Sequence, residues 1–200
     1  LDAGGNKETG FASGIEVGDT LNLIGDPQFL KSKNNQAPLG WLSEKKMGGT
    51  TESKVVVNHA NWPGVSAFLF RFDLDPKYGT WYSLPLRLKA GRWHEFSFDN
   101  LNWNDKSGQY TLTASGNKEG TEAITGSKDF SVPPRNGQVE RRYFYFRSPE
   151  STENEVDCYL TFKKKTPMSP TAISNLCLAE YSPASLSFGK ATQGEILEYK

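Results

Sequence analysis

The chain has 200 residues, with 23 basic and 23 acidic side chains, so its formal net charge is zero. This balance argues against nucleic-acid binding, which normally needs a basic excess, and against an anionic membrane surface. No apolar run approaches the roughly 20 residues needed to span a bilayer. Aromatic residues make up 12% of the chain, which favours strands and also surfaces that stack on ligands.

The two ends of the chain differ in composition from its middle. Residues 1–19 are rich in glycine and polar residues and are predicted to be a flexible lead-in, with no signal peptide. Ser182-Pro183 predicts a boundary. Residues 182–200 are then a linker and the start of a further β domain, or strands that pack back on the main sheet. The principal domain is predicted to span residues 20–181.

Short strands separated by turns are predicted throughout the first half of the chain. They are Leu21–Ile24, Lys54–Asn58, Val65–Leu74, Thr80–Leu88 and Arg92–Asp99. The third alternates with a period of two, which predicts a core row of Phe68, Phe70, Phe72 and Leu74. Pro85 interrupts the fourth and predicts an edge or a bulge there.

The second half continues this pattern, with polar excursions over residues 100–108, 116–126 and 133–137. The predicted strands are Tyr110–Ala114, Val139–Arg147, Val156–Phe162 and Ile173–Leu178. No helix of ten or more residues is predicted. Several short strands with turn signals at roughly 8–12-residue spacing indicate a β-sandwich or a barrel.

Three segments occur in an order that carries a family resemblance: Asn22–Phe29 followed by Gly40-Trp41, Leu86–Phe98, and Ile173–Leu178. Together they resemble the galactose-binding-domain-like jelly rolls, which include many carbohydrate-binding modules. The resemblance implies an all-β jelly-roll β-sandwich of two antiparallel sheets. The chain is also similar to sugar-binding surface proteins of Bacteroides-type bacteria, which implies a secreted, periplasmic or outer-surface location.

The same resemblance raises the question of a structural calcium ion, which the family often holds. Its ligands include an acid after the opening phenylalanine and aspartates in the last strand. Here Leu30 follows Phe29, and Asn175 stands where an aspartate is expected. Asp26 remains as a candidate ligand, although calcium needs several oxygen ligands. No other cofactor is predicted.

The first group of candidate ligand-binding residues is a loop rim of aromatic side chains in or beside predicted turns. Binding residues are disproportionately found on such loops. Tryptophan is highly buried on average, so the alternative is that Trp62 and Trp81 fold over the ends of the sandwich as core lids. The loop rim consists of Trp62, Tyr78, Trp81 and Trp103.

The second group lies on an outer sheet face, opposite the phenylalanine rows. If the three strands are neighbours, these side chains form one polar and aromatic surface. The alternative is an ordinary solvated face with cross-strand pairs such as Arg71 with Glu95. The group consists of Arg71, Trp93, Glu95, Tyr143 and Tyr145.

The histidine His94 and the two cysteines do not indicate a functional site. His94 shares a row with Phe96 and Phe98, which predicts a core or edge histidine without a ligand role. A disulfide could join Cys158 to Cys177, whereas two cysteines on strands are more often simply buried.

These features predict non-catalytic carbohydrate binding, with other domains of the same chain as further partners. One alternative is a structural or adhesion module, which the predicted extra domain favours. The other is a jelly-roll glycoside hydrolase or polysaccharide lyase, which needs paired carboxylates. Glu95 and Asp99 share a face but Asp99 is predicted to begin a loop, and Asp73 with Asp75 resembles a turn.

Overall fold

Ten β-strands make up the regular structure of the chain. The computed structural model describes residues 22–72, 75, 77–105 and 107–181, and these contain no helix. The lead-in, residues 182–200, Asp73 and Leu74 lie outside the described residues. The strands are β1 (Leu42–Ser43), β2 (Lys54–Val57), β3 (Ser66–Phe72), β4 (Trp81–Lys89), β5 (Trp93–Asn102), β6 (Gln109–Ser115), β7 (Gly126–Ser131), β8 (Val139–Arg147), β9 (Glu155–Lys164) and β10 (Met168–Tyr181).

The strands form two five-stranded sheets, in which every pairing is antiparallel. The first sheet has the order β1-β4-β9-β6-β7, and the second has the order β2-β3-β10-β5-β8. Apart from the β2–β3 and β6–β7 pairs, neighbours in each sheet are not consecutive in sequence, as in a jelly roll. The predicted all-β jelly-roll sandwich is therefore confirmed.

Aromatic rings fill the space between the sheets. Phe68, Phe70 and Phe72 of β3 are fully buried, as their alternation predicts. From the opposite sheet, Phe162 of β9 reaches to 5.3 Å from Phe70, measured between ring centroids. Because the inward rows are largely apolar, burying them provides the main driving force for closing the sandwich.

The outer faces of the two sheets differ in how they are covered. Over the first sheet lies the loop of residues 116–125, where Lys163 Nζ donates to Gly120 O at 3.1 Å and Thr161 Oγ1 donates to Lys118 O at 3.1 Å. Over the β2–β3 part of the second sheet lies the loop Asn58–Gly64, whose Trp62 packs in a second apolar cluster with Ala67. None of the described loops covers the β5–β8 part of the second sheet.

Several predicted strand limits are wrong. Residues 22–24 are not in a strand, because the Asn22 side chain takes the place of a ladder, donating to Leu176 O at 2.7 Å and accepting from Leu178 N at 2.9 Å. Strand β5 continues to Asn102, past the predicted loop start. Strand β7 was not predicted, since Phe130 is the one buried apolar side chain in it.

Two open alternatives are decided by the pairing. Strand β1 pairs with β4 only at Tyr82 and Ser83, so among the described residues no strand covers the edge of β4 at Pro85, which agrees with the edge alternative. Cys158 lies in the first sheet and Cys177 in the second, and both are free, so the disulfide alternative is wrong. Burial raises the pKa of the Cys158 thiol to about 12, which keeps it protonated and unreactive.

Candidate functional site

The largest exposed aromatic surface in the described part of the chain lies on the outer side of β5 and β8. Trp93, Tyr143 and Tyr145 are 39%, 46% and 50% exposed. The register places Tyr145 opposite Glu95 and Tyr143 opposite Ser97, so all five side chains share one face. We call this surface the β5–β8 face and define it by Trp93, Glu95, Ser97, Asp99, Arg141, Tyr143 and Tyr145.

Polar groups of the β5–β8 face are linked by hydrogen bonds between the strands. Tyr145 Oη donates to Glu95 Oε2 at 2.6 Å, and Arg141 Nη2 donates to Ser97 Oγ at 2.7 Å. Arg141 Nη1 also lies 3.1 Å from Asp99 Oδ1. These bonds orient the side chains before any ligand arrives, which lowers the entropic cost of binding.

Arg71 does not belong to this surface, although it was predicted there with the other four residues. Strand β10 separates β3 from β5, so Arg71 and Glu95 are not on neighbouring strands. The predicted Arg71–Glu95 pair is therefore wrong. Periodicity correctly assigned both residues to an outer row, but strand order comes from contacts between distant segments.

The structure does not bring the loop rim together as one surface. Trp62 is 3% exposed and Tyr78 is 9% exposed, beneath the Arg71 guanidinium at 4.2 Å from its ring centroid. Trp81 is half-buried on β4 of the first sheet, opposite Lys163. Trp62 is buried, as the core-lid alternative expects, but it covers the outer face of the second sheet rather than an end of the sandwich.

Trp103, the fourth rim residue, lies in an aromatic cluster at one end of the second sheet. Its ring centroid is 4.2 Å from that of His59 and 5.8 Å from that of Trp62. The half-buried ring forms one side of a groove of about 320 Å³. Arg71 and Lys54 line the same groove, so it combines residues from both predicted groups. Sequence reasoning missed Lys54, whose strand position alone carries no functional signal.

The candidate calcium ligand Asp26 is already engaged by the backbone. Its Oδ1 accepts from Leu30 N at 2.9 Å, and its Oδ2 accepts from Lys31 N at 3.2 Å. Asn175 Nδ2 donates to Asp99 Oδ2 at 2.6 Å. Backbone N–H groups thus use one lone pair on each Asp26 oxygen, and the described residues hold no cluster of three acidic, histidine or cysteine side chains. Calcium binding at Asp26 stays a prediction.

The carboxylates weighed for catalysis are held by partners. Asp99 lies inside β5, which corrects the predicted loop start, and it shares the outer row with Glu95. Asp99 is bound by Arg141, and Glu95 accepts from Tyr145. Asp73, of the other pair, lies outside the described residues.

His94 is a core residue, as its row predicts. It is 1% exposed and its ring stacks on Phe146 at 5.3 Å between centroids. Its Nδ1 lies 3.0 Å from Arg92 O. Burial lowers the pKa of His94 from its ordinary value of 6.5, against weaker raising effects of the Arg92 carbonyl and Glu180. The folded protein therefore holds this imidazole neutral.

The protein is expected to lose stability as the pH falls below about 6.5, because the unfolded chain then protonates His94 and the folded chain resists protonation. His94→Phe keeps the stacking on Phe146 and is expected to reduce this loss. Arg92 O stays satisfied in the variant, since it also accepts from Ser148 N at 2.8 Å. Urea unfolding at several pH values measures the effect. Equal acid sensitivity in both proteins would contradict the assignment.

None of the described residues forms a helix long and apolar enough to cross a membrane.

No protein-family profile matches the sequence, and no curated protein matches it either. The chain is similar in fold to solved structures with which its sequence identity is very low. At such identities the similarity concerns the fold alone.

Three of these structures represent different activities. A "putative sugar binding protein" from Bacteroides thetaiotaomicron has a TM-score of 0.54 and 10% identity, with 80% of this chain and 100% of that chain covered. A Stig cyclase from Fischerella sp. TAU has a TM-score of 0.56 and 11% identity, with 80% and 96% covered. An arabinose-bound α-L-arabinofuranosidase has a TM-score of 0.56 and 9% identity.

The three structures differ in how much of their own length the match covers. The match with the arabinofuranosidase covers 80% of this chain but only 26% of the enzyme, so the chain spans about a quarter of its length. The sugar-binding protein and the cyclase are matched over nearly their whole lengths. The chain thus has the jelly-roll fold that carbohydrate-binding-module-like proteins share with enzymes.

Proposed function

We propose that this protein binds carbohydrate at the β5–β8 face without catalysing a reaction on it. The observation that carries the proposal is the row of exposed rings, Trp93, Tyr143 and Tyr145, on one pair of strands. Sugar rings have apolar C–H faces that pack on aromatic rings, and hydroxyl groups that need hydrogen-bond partners. Glu95 and Arg141, which lie among the rings, supply such partners.

The geometry suits an extended glycan. Tyr143 and Tyr145 are two residues apart on β8, and this spacing corresponds to about 7 Å along the strand. Trp93 lies diagonally across from Tyr145, within the reach of aromatic side chains. A chain of sugars lying along β8 would therefore meet successive rings.

A surface of this kind favours binding over turnover. In the described part of the chain, the β5–β8 face is an open sheet surface, and its carboxylates already have hydrogen-bond or ion-pair partners. A glycosidase places two carboxylates on opposite sides of the bond that it cleaves. The arabinofuranosidase and the cyclase show that the fold itself is compatible with catalysis. The proposal includes a location outside the cytoplasm, where a protein would meet polysaccharides; fractionation of the source cells tests that part.

Titrating intrinsic tryptophan fluorescence against a panel of polysaccharides tests binding. We expect a saturable change with at least one glycan, and Trp93→Ala to weaken binding by about tenfold or more, as for a central aromatic contact. Trp81→Phe, in the first sheet, is the matched control and should bind normally. A response lost in Trp81→Phe and kept in Trp93→Ala would contradict the proposed site.

A second measurement separates binding from catalysis. The protein is incubated with each bound glycan, and released reducing ends and unsaturated products are measured. We expect none in wild type, and somewhat weaker glycan binding in Asp99→Asn, because Asp99 orients Arg141. Product formation that disappears in Asp99→Asn would make the protein a glycan-active enzyme. No response to any glycan would favour a structural or adhesion module.

A further inference from the structure

We propose a second binding site, separate from the β5–β8 face, for a sugar acid such as a hexuronic acid. It is the groove beside Trp103, which we call the Trp103 groove and define by Glu52, Lys54, Arg71, Trp103 and Asn104. Its volume of about 320 Å³ is at the lower end of the range for small-molecule sites, which suits one small ligand.

Strand register brings the two cations of the groove together. Lys54 of β2 lies opposite Leu69 of β3, and Arg71 follows two residues later on the same outer row. Arg71 is held in place, since its Nη1 donates to Thr51 O at 2.8 Å and its guanidinium stacks on Tyr78 at 4.2 Å. A guanidinium oriented in this way is preorganised to bind a carboxylate.

The charges of the groove favour an anion. Two like charges on one sheet face destabilise the fold, and Glu52 is the one carboxylate among the lining residues. Burial lowers the pKa of Lys54, and the neighbouring Arg71 lowers it further, partly offset by Glu52. The Lys54 ammonium donates to Thr50 O, which uses one of its three donors. A ligand carboxylate would accept from the others and reduce the repulsion.

The aromatic side of the groove indicates that the ligand has a ring as well as a charge. The His59 ring packs against Trp103 in a tilted arrangement and Trp62 meets it nearly edge-on, so these two rings hold the indole in place. Trp103 itself is half-buried and lines the groove. A hexuronic acid combines a carboxylate with an apolar ring face, and it fits both sides of this site.

The Trp103 groove is independent of the β5–β8 face. Next to Phe70, which precedes Arg71 in β3, β10 has Thr171, whereas next to Glu95 it has Ala179. These positions are eight residues apart on the strand, which corresponds to roughly 25 Å. Binding in the groove therefore does not rest on the proposed function, and either site can fail without the other.

Indole N–H signals in a nitrogen–proton NMR spectrum can test the groove, because the chain has five tryptophans. Trp103→Phe and Trp93→Phe assign the two relevant signals. We expect sodium D-glucuronate to shift the Trp103 signal saturably and the Trp93 signal little. D-glucose, which lacks the charge, and acetate, which lacks the ring, should each bind much more weakly.

Variants of the lysine identify the charged contact. Lys54→Met is expected to weaken glucuronate binding by about tenfold, the loss expected for one charge-assisted hydrogen bond. Lys118→Met, which removes an exposed charge over the first sheet, should have no effect. Thermal melting checks the fold of each variant. For wild type, added sodium chloride should weaken glucuronate binding, which provides a test that needs no substitution.

Three results would overturn the proposal. They are equal shifts with glucose and glucuronate, unchanged affinity in a folded Lys54→Met, and a glucuronate response confined to the Trp93 signal. If polysaccharides fail to bind at the β5–β8 face while glucuronate shifts Trp103, the groove stands and the proposed function fails. The reverse result would remove the groove and keep the proposed function.

Discussion

Phe162→Ala is expected to lower the free energy of unfolding by about 3–5 kcal/mol, the usual cost of removing a buried phenylalanine. Phe162 belongs to β9 of the first sheet and is fully buried. It lies 5.3 Å from Phe70 and 5.4 Å from Phe98, two rings of the opposite sheet. It also contacts Tyr110 and Trp41, at 5.7 and 6.0 Å. Its removal leaves a cavity between two sheets whose backbones are fixed by ladders.

Urea or guanidinium unfolding measures this loss. Tyr143→Ala is the matched control, since Tyr143 is 46% exposed on the outer face and should change stability by only about 0.5 kcal/mol. Glycan binding by Phe162→Ala should persist wherever the variant remains folded. Equal destabilisation by the two substitutions would show that the inter-sheet rings are not the centre of the core.

Gly120→Ala is expected to cost about 2–4 kcal/mol, by combining backbone strain with overpacking. Gly120 has φ of 70°, a left-handed conformation that side chains disfavour. A Cβ atom there would overlap Thr113 Oγ1 and would lie 3.3 Å from Thr161 Cβ. The loop of residues 116–125 would have to lift from the first sheet, which would expose the buried hydroxyl of Thr161.

Substitutions at two other glycines distinguish the cost of backbone strain from the cost of the steric clash at Gly120. Gly40 has φ of 83°, but a Cβ atom added to it would have no neighbour within 4 Å, so Gly40→Ala should cost only about 1–2 kcal/mol. Gly25 has neither feature, and Gly25→Ala should be nearly neutral. Chemical denaturation of the three variants gives the ranking. A Gly120→Ala protein as stable as Gly40→Ala would show that the loop accommodates the methyl group.

Sequence periodicity was most informative where a strand is apolar on one side. The rows of β3, β5 and β8 were all assigned to the correct face, including His94 among phenylalanines. It was least informative at edges. Strand β7 has one buried apolar residue, Phe130, and its position is decided by pairing with β6. The segment at Asn22 was wrongly predicted for the same reason. Its side chain bonds the backbone of β10, a strand that is distant in sequence.

For the candidate site, too, the sequence predicted one part and only the structure shows the other. Alternation predicted that Trp93, Tyr143 and Tyr145 share an outer row, and the pairing of β5 with β8 makes them neighbours. Their exposure could not be predicted, because it depends on which loops cover which sheet faces. Trp62 lies in a polar loop that predicts exposure, but it is buried because that loop folds over the apolar residues Ala67 and Leu69.

By itself, the amino-acid sequence determined the fold class, the inward rows and the resemblance to a jelly roll, because these depend on local alternation, turn residues and the order of short segments. The tertiary structure alone decided the strand order, which separates Arg71 from Glu95 and places it beside Lys54 and Trp103. Sheet order and loop packing arise from contacts between residues that are distant along the chain. Local periodicity contains no information about those contacts.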